Sequence, residues 1–309
     1  SSDLAARFDN GITVRHVGAP VPSTPHIDMT VEALARRGVH VEHAQPHEWL
    51  VPAGTPRGRD ASVEPDLSNA AAFLAAALAI VPDRTDLAGL TVAVSTGGTR
   101  EPIDPVRFLG NRSSGTPGAE VAVAAADRGA HVRLVAAYVD EGVLAAALRH
   151  PRVTVVRVAT AVELRTAMLA ASADADVAVM VAAVADYRVA EVSDHKLRKE
   201  DGTPTLDLVT NPDVLAELVA QRQVGQTIVG FAAETAADDA ELRERGRRKR
   251  ARKGVDLLAV NAVAWDQGFG AGENAVIVLD ASDGVRAEVA GDKRAVADGL
   301  WDAVVSVRG

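Results

Sequence analysis

Three groups of residues in this chain could do chemistry, and the first lies in residues 95–118, "STGGTREPIDPVRFLGNRSSGTPG". An apolar run precedes this stretch and an alanine-rich run follows it, which predicts a long loop between a strand and a helix. Ser113, Ser114 and Gly115 would then stand at the helix start, where hydroxyls and backbone N–H groups can bind a phosphate. The alternative is that Ser113 only caps the helix. The G-x-G-x-x-G spacing of dinucleotide sites is absent, which argues against an NAD enzyme.

The second group lies at the end of the apolar run "VAVMVAAVADY". Asp186 stands near the end of this run, and Lys196 follows in a polar loop. Together they could hold a triphosphate with its Mg²⁺, the aspartate through the metal or a sugar hydroxyl and the lysine through phosphate oxygens. The alternative is an ordinary pair of exposed charges.

The third group is the basic stretch "RERGRRKRARKG", residues 243–254. Lys249 and Lys253 are four residues apart, so they share one face of a helix. Polyphosphate binding, nucleic-acid binding and a merely solvated face all remain open at this point. The net charge of −9 disfavours nucleic acid as the main partner.

These groups need a scaffold, and the hydrophobic pattern predicts an α/β fold. Over residues 90–309 strands alternate with helices, which indicates a doubly wound, Rossmann-like, mostly parallel sheet with a β-hairpin extension at 275–290. Residues 177–187 are almost entirely apolar, as in a central parallel strand. A small α/β unit over residues 1–80 and a linker over 81–89 precede this domain. In that unit the pattern predicts strands within 11–18, 39–44, 48–54 and 60–65, and helices within 26–38 and 66–79.

Composition excludes several classes of protein. The chain of 309 residues has no cysteine, which rules out disulfides, thiolate metal sites and a cysteine nucleophile. His43 and His47 have a metal-ligand spacing, but Pro46 between them argues against the helix that would aim both at one metal, so no protein-only metal site is predicted. No apolar run approaches the ~18 residues of a membrane span. We therefore expect a cytoplasmic protein with small-molecule substrates.

Residues from about 88 to 309 resemble phosphopantothenate-cysteine ligase, the half of the bifunctional coenzyme A enzyme that follows the decarboxylase. The matching stretches occur in the family's order: "GGTREPIDPVRFLGNRSSG", "AAVADYR", "HKLRK", "TNPDVLAEL", "VGFAAET" and "KRARKGVDLLAVN". The resemblance implies that CTP, with Mg²⁺, activates 4'-phosphopantothenate as an acyl-cytidylate. Cysteine then displaces CMP to form the amide.

The resemblance also assigns roles to single residues. Asn111 matches the family's catalytic asparagine, which acts in amide formation, and Lys196 the lysine near the triphosphate. The remaining matches are with the nucleotide site: Asp186, Asn211, Pro212, Asp213, Val214, Phe231, Lys249 and Lys253. Within that set, the backbone of the N-P-D segment helps read cytosine and the phenylalanine ring lies beside the nucleotide.

Some parts of the chain depart from the family pattern. Thr116 and Pro117 stand where the family continues with a lysine, and residues 136–153 differ from the segment with which family members build a dimer and a substrate cover. A homodimer is therefore an open expectation. Residues 1–80 resemble an internal, non-catalytic fragment of EPSP synthase (3-phosphoshikimate 1-carboxyvinyltransferase). The alternative function is hence an inactive binding or interaction protein, a natural or artificial chimera that keeps the ligase fold.

Overall fold

The computed structural model describes residues 12–15, 17, 24–35, 38–45, 48–53, 84–262, 274–282 and 284–308. The chain divides into two units, Ser1–Pro82 and Asp83–Gly309, which we describe separately. The strand and the helix predicted between residues 60 and 79 lie outside the described residues.

The first unit contains a small antiparallel sheet with one helix. Its elements are β1 (Ile12–Arg15), α1 (Thr24–Ala35), β2 (Glu42–Gln45) and β3 (Glu48–Val51), and the sheet order is β1–β3–β2. Leu34, Val39 and Val51 form its small buried cluster. These elements match the strands and the helix predicted in this part of the sequence.

The second unit has twelve strands in its described residues, of which eight form one large sheet and four form two short ribbons. Its strands are β4 (Thr91–Gly97), β5 (Arg100–Pro102), β6 (Phe108–Gly110), β7 (His131–Ala137), β8 (Val153–Val158), β9 (Val177–Met180), β10 (Tyr187–Val189), β11 (Leu208–Thr210), β12 (Thr227–Glu234), β13 (Leu257–Ala262), β14 (Asn274–Asp280) and β15 (Val285–Gly291). Its helices are α2 (Thr116–Asp127), α3 (Glu141–Arg149), α4 (Ala161–Ser172), α5 (Val214–Ala220), α6 (Asp239–Lys253) and α7 (Lys293–Arg308). β5–β6 and β10–β11 are separate two-stranded ribbons.

The strand order confirms the predicted doubly wound fold. The large sheet runs β15–β14–β13–β12–β9–β4–β7–β8, and the six strands from β13 to β8 are parallel. The chain builds outward from β4 through β7 to β8, and then returns to place β9 on the other side of β4. This reversal between β4 and β9 is a topological switch point, where ligands bind at the carboxyl ends of the strands. The predicted hairpin extension is the antiparallel pair β14–β15.

Two hydrophobic clusters cover the two faces of the sheet. One joins α2, α3 and α7 to the sheet, and Trp301 lies within it with its indole N–H donating to the carbonyl of Val121 at 2.9 Å. The other joins α4, α5 and α6 to the opposite face. None of the helices in the described part of the chain combines the length and the apolar composition that crossing a bilayer requires.

The predicted central strand over 177–187 is wrong in its length. β9 lies at the centre of the sheet as expected, but it ends at Met180. The buried hydroxyl of Ser95, on the neighbouring β4, accepts hydrogen bonds from the N–H groups of Val181 and Ala182, both at 3.1 Å. A side chain therefore takes the place of the strand's backbone partner, and residues 181–186 leave the regular ladder.

Candidate active site

The segment 181–186 is held against the carboxyl end of β4 by residues of the long loop that begins there. The N–H of Ala183 donates to the carbonyl of Gly97 at 2.8 Å, and the carbonyl of Ala183 accepts from the N–H of Thr99 at 3.1 Å. The buried hydroxyl of Thr99 accepts from the N–H of Ala185 at 2.9 Å. These bonds lie at the switch point and fix the backbone where a ligand is expected.

Asn111 lies directly over this segment. Its side-chain amide donates to the carbonyl of Val184 at 3.0 Å, and the side chain itself is exposed. The approach depends on Gly98, because a Cβ there would lie 3.2 Å from the Asn111 carbonyl oxygen and 3.3 Å from Cβ of Ser113. A larger residue at position 98 would therefore push the Asn111 loop away from the strand ends.

Asn211 binds the same segment from the other side. Its side-chain amide donates to the carbonyl of Ala185 at 2.9 Å, and its backbone N–H donates to the carbonyl of Asp186 at 2.9 Å. Its side-chain oxygen accepts from Arg188 at 3.1 Å. Two asparagines distant in sequence thus bind neighbouring carbonyls. The family resemblance predicts a site role for each of them but does not indicate that they bind one segment.

Asp186 and Lys196 are both exposed, and no ion pair joins them in the described part of the chain. The Lys196 loop is anchored through its neighbour Leu197, whose N–H donates to Asp104 at 3.2 Å. Asp104 also accepts from the N–H groups of Val106 and Arg107, both at 2.7 Å.

Asp104 is a buried carboxylate that sequence analysis did not select. Its burial raises the pKa of the carboxyl, but the N–H groups of Val106, Arg107 and Leu197 lower it more, so the net pKa lies below its ordinary value. The turn at Asp104 could have been predicted from the Asp-Pro pair in "EPIDPVR", which is a turn signal. Asp104 holds the loop that carries Lys196 against the β5–β6 ribbon.

An open cleft of about 550 Å³ lies beside this anchored loop. Cationic side chains dominate its lining, which consists of Arg107, Lys196, Leu197, Arg198, Lys199 and Glu200. Such a concentration of positive charge favours an anionic ligand.

The start of α2 is shaped by Gly115. Its φ of 78° lies in the left-handed region, and an added Cβ would lie 2.7 Å from methyl groups of Val139. No side chain caps the helix, so the interpretation that Ser113 caps it is wrong. Pro117 lies in the first turn, where its missing N–H costs no helical hydrogen bond. The hydroxyl of Ser113 accepts only a long bond, 3.4 Å, from the N–H of Gly115, and that of Ser114 one of 3.3 Å from Thr116. Phosphate binding at this helix start stays a prediction.

The N-P-D segment leads from Asn211 into α5. Asp213 caps this helix by accepting from the N–H of Ala216 at 3.1 Å, and its other oxygen binds Lys253. Burial raises the pKa of Asp213, but the bonds from Lys253 and Ala216 outweigh it and lower the pKa. Val214 is buried, and Pro212 is half-buried. Because the side chains of Asp213 and Val214 already have partners, the segment has mainly its backbone to offer a ligand.

The remaining predicted nucleotide residues belong to β12 and α6. Phe231 is half-buried on β12, where it packs against the cluster that contains α2 and α7. Lys249 bonds to Glu234, the last residue of β12, with 2.7 Å between its Nζ and Oε1. The ammonium groups of both lysines therefore lie at the sheet edge that also carries residues 181–186 and the N-P-D segment. For Phe231, the described residues show no contact with Asn111.

Arg100, the first residue of β5, stacks on two aromatic rings. The guanidinium of Arg100 lies between two aromatic rings, 4.6 Å from the centre of Phe108 and 4.3 Å from that of Tyr138. Tyr138 has a φ of 48° and belongs to the segment that departs from the family pattern, which contains α3. The stack fastens the β5–β6 ribbon, and hence the loop with Asn111, to the end of β7.

Comparison with known proteins points to one family. Residues 87–307 match the model of the DNA/pantothenate metabolism flavoprotein C-terminal domain. The coenzyme A biosynthesis bifunctional protein CoaBC of Mycobacterium tuberculosis is 46% identical over 229 residues, which cover 72% of this chain and 53% of that protein. CoaBC of Escherichia coli is 40% identical over 195 residues, 62% of this chain and 46% of that protein. The chain thus spans about half the length of the curated relatives it matches.

Solved structures agree with this assignment. The C-terminal domain of CoaBC has a TM-score of 0.58 and 30% identity, and the match covers 72% of this chain and 97% of that one. A mutant of Cab2 in complex with phosphopantothenate-cysteine has a TM-score of 0.56 at 19% identity, covering 80% of this chain and 95% of that one, and supports the fold alone. The EPSP synthase resemblance of residues 1–80 stays a prediction. From the family match and the relatives, this chain belongs to the family of the DNA/pantothenate metabolism flavoprotein C-terminal domain.

Proposed function

We propose that this chain joins 4'-phosphopantothenate to cysteine, using CTP and an acyl-cytidylate intermediate. The observation that carries the proposal is the pair of asparagine amides, from Asn111 and Asn211, on the consecutive carbonyls of Val184 and Ala185 at the switch point. The relatives named as coenzyme A biosynthesis proteins support this chemistry. Residues 1–80 take no part in the proposed reaction.

In the first step a carboxylate oxygen of phosphopantothenate attacks the α-phosphorus of CTP. A new P–O bond forms, the bond to the β-phosphate bridging oxygen breaks, and pyrophosphate leaves with that electron pair. Two anions must approach each other, so the step needs cations. In this proposal Lys249 and Lys253 bind the triphosphate and Lys196 adds a further positive charge. The pairs of the first two with Glu234 and Asp213, and the position of Lys196 in the cationic cleft, support this assignment.

In the second step the cysteine amine attacks the acyl carbon and CMP leaves. The new C–N bond forms, and the bond between the acyl carbon and the phosphate oxygen breaks with its electron pair going to CMP. The nitrogen loses a proton to solvent or to the departing CMP phosphate, and the carbonyl oxygen is negatively charged on the way. Asn111 donates to Val184 through its amide, and its side-chain oxygen has no hydrogen-bond partner among the described residues. That oxygen can accept an N–H of the incoming amine, so Asn111 would orient the nucleophile without itself taking the proton.

The residues present fit a Mg²⁺ ion that arrives with the nucleotide. No group of three or more acidic or histidine side chains that could hold a metal occurs in the described parts of the chain. Asp186 is exposed beside the site and can contribute one carboxylate, while phosphate oxygens supply other ligands. When bound, the ion neutralises phosphate charge. A homodimer and a cytoplasmic location remain predictions.

A coupled assay for pyrophosphate tests the proposal. Pyrophosphate release should require phosphopantothenate together with CTP, and the amide product should also require cysteine. Replacing CTP by each other nucleoside triphosphate tests the cytidine preference. Nucleotide binding measured by calorimetry without any turnover would overturn the proposal in favour of a binding protein. CTP hydrolysis at a rate that depends on neither phosphopantothenate nor cysteine would overturn it as well.

A further inference from the structure

The basic helix α6 makes two kinds of ion pair. Some of its arginines bind acids on its own surface or on the edge hairpin, as Arg245 does with Glu241 and Arg243 with Glu288. Lys249 and Lys253 bind acids that belong to the candidate site, namely the last residue of β12 and the cap of α5. Each of the two lysines predicted to hold phosphate therefore has a carboxylate partner.

These two pairs are partly shielded from water. The side chains of Lys249 and Glu234 are 29% and 20% exposed, and the two atoms that join them are 2.7 Å apart. The side chain of Lys253 is 20% exposed and that of its partner Asp213 is 51% exposed. Shielding strengthens the attraction within each pair, and it equally strengthens the repulsion between each carboxylate and a phosphate brought to the same lysine.

An ammonium group has three N–H donors and can keep one acid while it binds a phosphate. The acid nevertheless offsets the charge that attracts the phosphate. We infer that Glu234 and Asp213 act as built-in competitors that limit the affinity of Lys249 and Lys253 for polyphosphate, so that the pyrophosphate product leaves readily. This inference rests on the proposed function, which makes phosphate the ligand of the two lysines.

Asp213 adds a link between two parts of the site. One of its oxygens caps α5 at the N-P-D segment and the other holds Lys253. A phosphate that draws Lys253 away would alter the partners of the residue that ends the proposed base-binding segment. Competition at Asp213 therefore couples the phosphate end of the nucleotide to its base end.

The test uses isosteric variants of the full chain. Glu234→Gln and Asp213→Asn remove one negative charge each and keep an acceptor, and asparagine retains capping ability. Glu288→Gln is the matched control, because it breaks a 2.6 Å pair on the same helix with Arg243, away from the two lysines. Calorimetric titration with inorganic pyrophosphate and with tripolyphosphate, both without divalent metal, measures the affinity directly.

Each of the two site variants should bind tripolyphosphate about fivefold to tenfold more tightly than the wild type, and the control should stay within about twofold. Adding Lys249→Met to Glu234→Gln should abolish the gain. Unchanged or weaker binding in the site variants would overturn the inference. Weaker binding would mean that the acids position the lysines for phosphate, and unchanged binding that the acids do not affect the affinity. Absence of polyphosphate binding in every variant would also overturn it. The pyrophosphate-release assay with all three substrates judges the proposed function separately.

Discussion

Two regions of the same sheet edge are built from different interactions. At the end of β4 and β9, neutral hydroxyls and amides bind backbone groups of residues 181–186. At the end of β12, charged side chains from α6 bind carboxylates that are partly exposed. A buried N–H group without an acceptor is costly, whereas an ammonium in a partly shielded ion pair keeps other N–H donors with which it can bind a second anion. The first region is suited to holding a reacting group still, and the second to binding and releasing a charged one.

The largest effect should come from changing the neutral region at Asn111. In Asn111→Asp the carboxylate cannot donate to the carbonyl of Val184 and repels it, so residue 111 is no longer held against residues 181–186. Amide formation should fall by about 10²–10³-fold, in the range of losing one oriented donor in an active site. Product analysis under saturating substrates measures this.

The same variant should leave the charged region intact. Binding of CTP by calorimetry should change by no more than about threefold, because the lysines of α6 pair with Glu234 and Asp213 and not with the Asn111 loop. A parallel loss of nucleotide affinity would show that the two regions do not work independently.

The next largest effect is expected on stability, from Ser95, whose hydroxyl binds the start of segment 181–186. Ser95→Ala leaves the buried N–H groups of Val181 and Ala182 without an acceptor. The free energy of unfolding should fall by about 2–4 kcal/mol, which corresponds to a melting temperature about 5–10 °C lower.

Thr166→Ala is the control for that experiment. Its hydroxyl makes a single bond, 3.0 Å long, to the carbonyl of Val162 on an exposed helix turn. Its removal should cost less than about 0.5 kcal/mol by thermal or denaturant unfolding. Equal losses in the two variants would contradict the view that Ser95 replaces a strand partner.

Ser95 also shows where sequence analysis succeeds and where it stops. The long apolar runs and the amphipathic helices were predictable, because each is set by local patterning that tertiary packing reinforces. The end of β9 was not, since residues 181–185 are as apolar as the strand, and the N–H groups of Val181 and Ala182 bind a side chain on β4 instead of its backbone. The three-residue ribbons β5–β6 and β10–β11 are too short to leave a periodic signal.

The candidate site divides in the same way. Its residue types were predictable, as Asn111, Lys196 and Lys249 stand in motifs whose order matches the family. Their partners were not, because Val184 and Glu234 are distant in sequence from the residues they bind. The stack of Arg100 on Tyr138 likewise joins segments that no local pattern connects.

A change of pH should have a smaller effect on stability, through Asp104, which anchors the loop that carries Lys196. The folded state lowers the pKa of this carboxyl below the ordinary 3.8, because the N–H groups of Val106, Arg107 and Leu197 outweigh its burial. A carboxyl with a lowered folded pKa stabilises the protein above its unfolded pKa, and this contribution is lost as pH falls through the folded pKa. The free energy of unfolding should therefore decline below about pH 4.

Asp104→Asn removes the titrating group from this loop. Its unfolding free energy should depend less steeply on pH than that of the wild type over the range from about pH 4 to about pH 2. Denaturant unfolding at a series of pH values makes the comparison. Identical slopes would mean that other carboxyl groups account for the whole acid response.

The smallest effect should come from the pairs that α6 makes along its own surface. Arg248 and Glu244 lie 3.7 Å apart with side chains 68% and 57% exposed, so water and salt screen them. Glu244→Gln should change the free energy of unfolding by less than about 0.5 kcal/mol, and added salt should remove the difference. Polyphosphate affinity should also stay within about twofold of the wild type, because this carboxylate does not hold Lys249 or Lys253. A gain as large as that expected for Glu234→Gln would mean that the overall charge of the helix, rather than the position of two particular carboxylates, sets how tightly this edge holds phosphate.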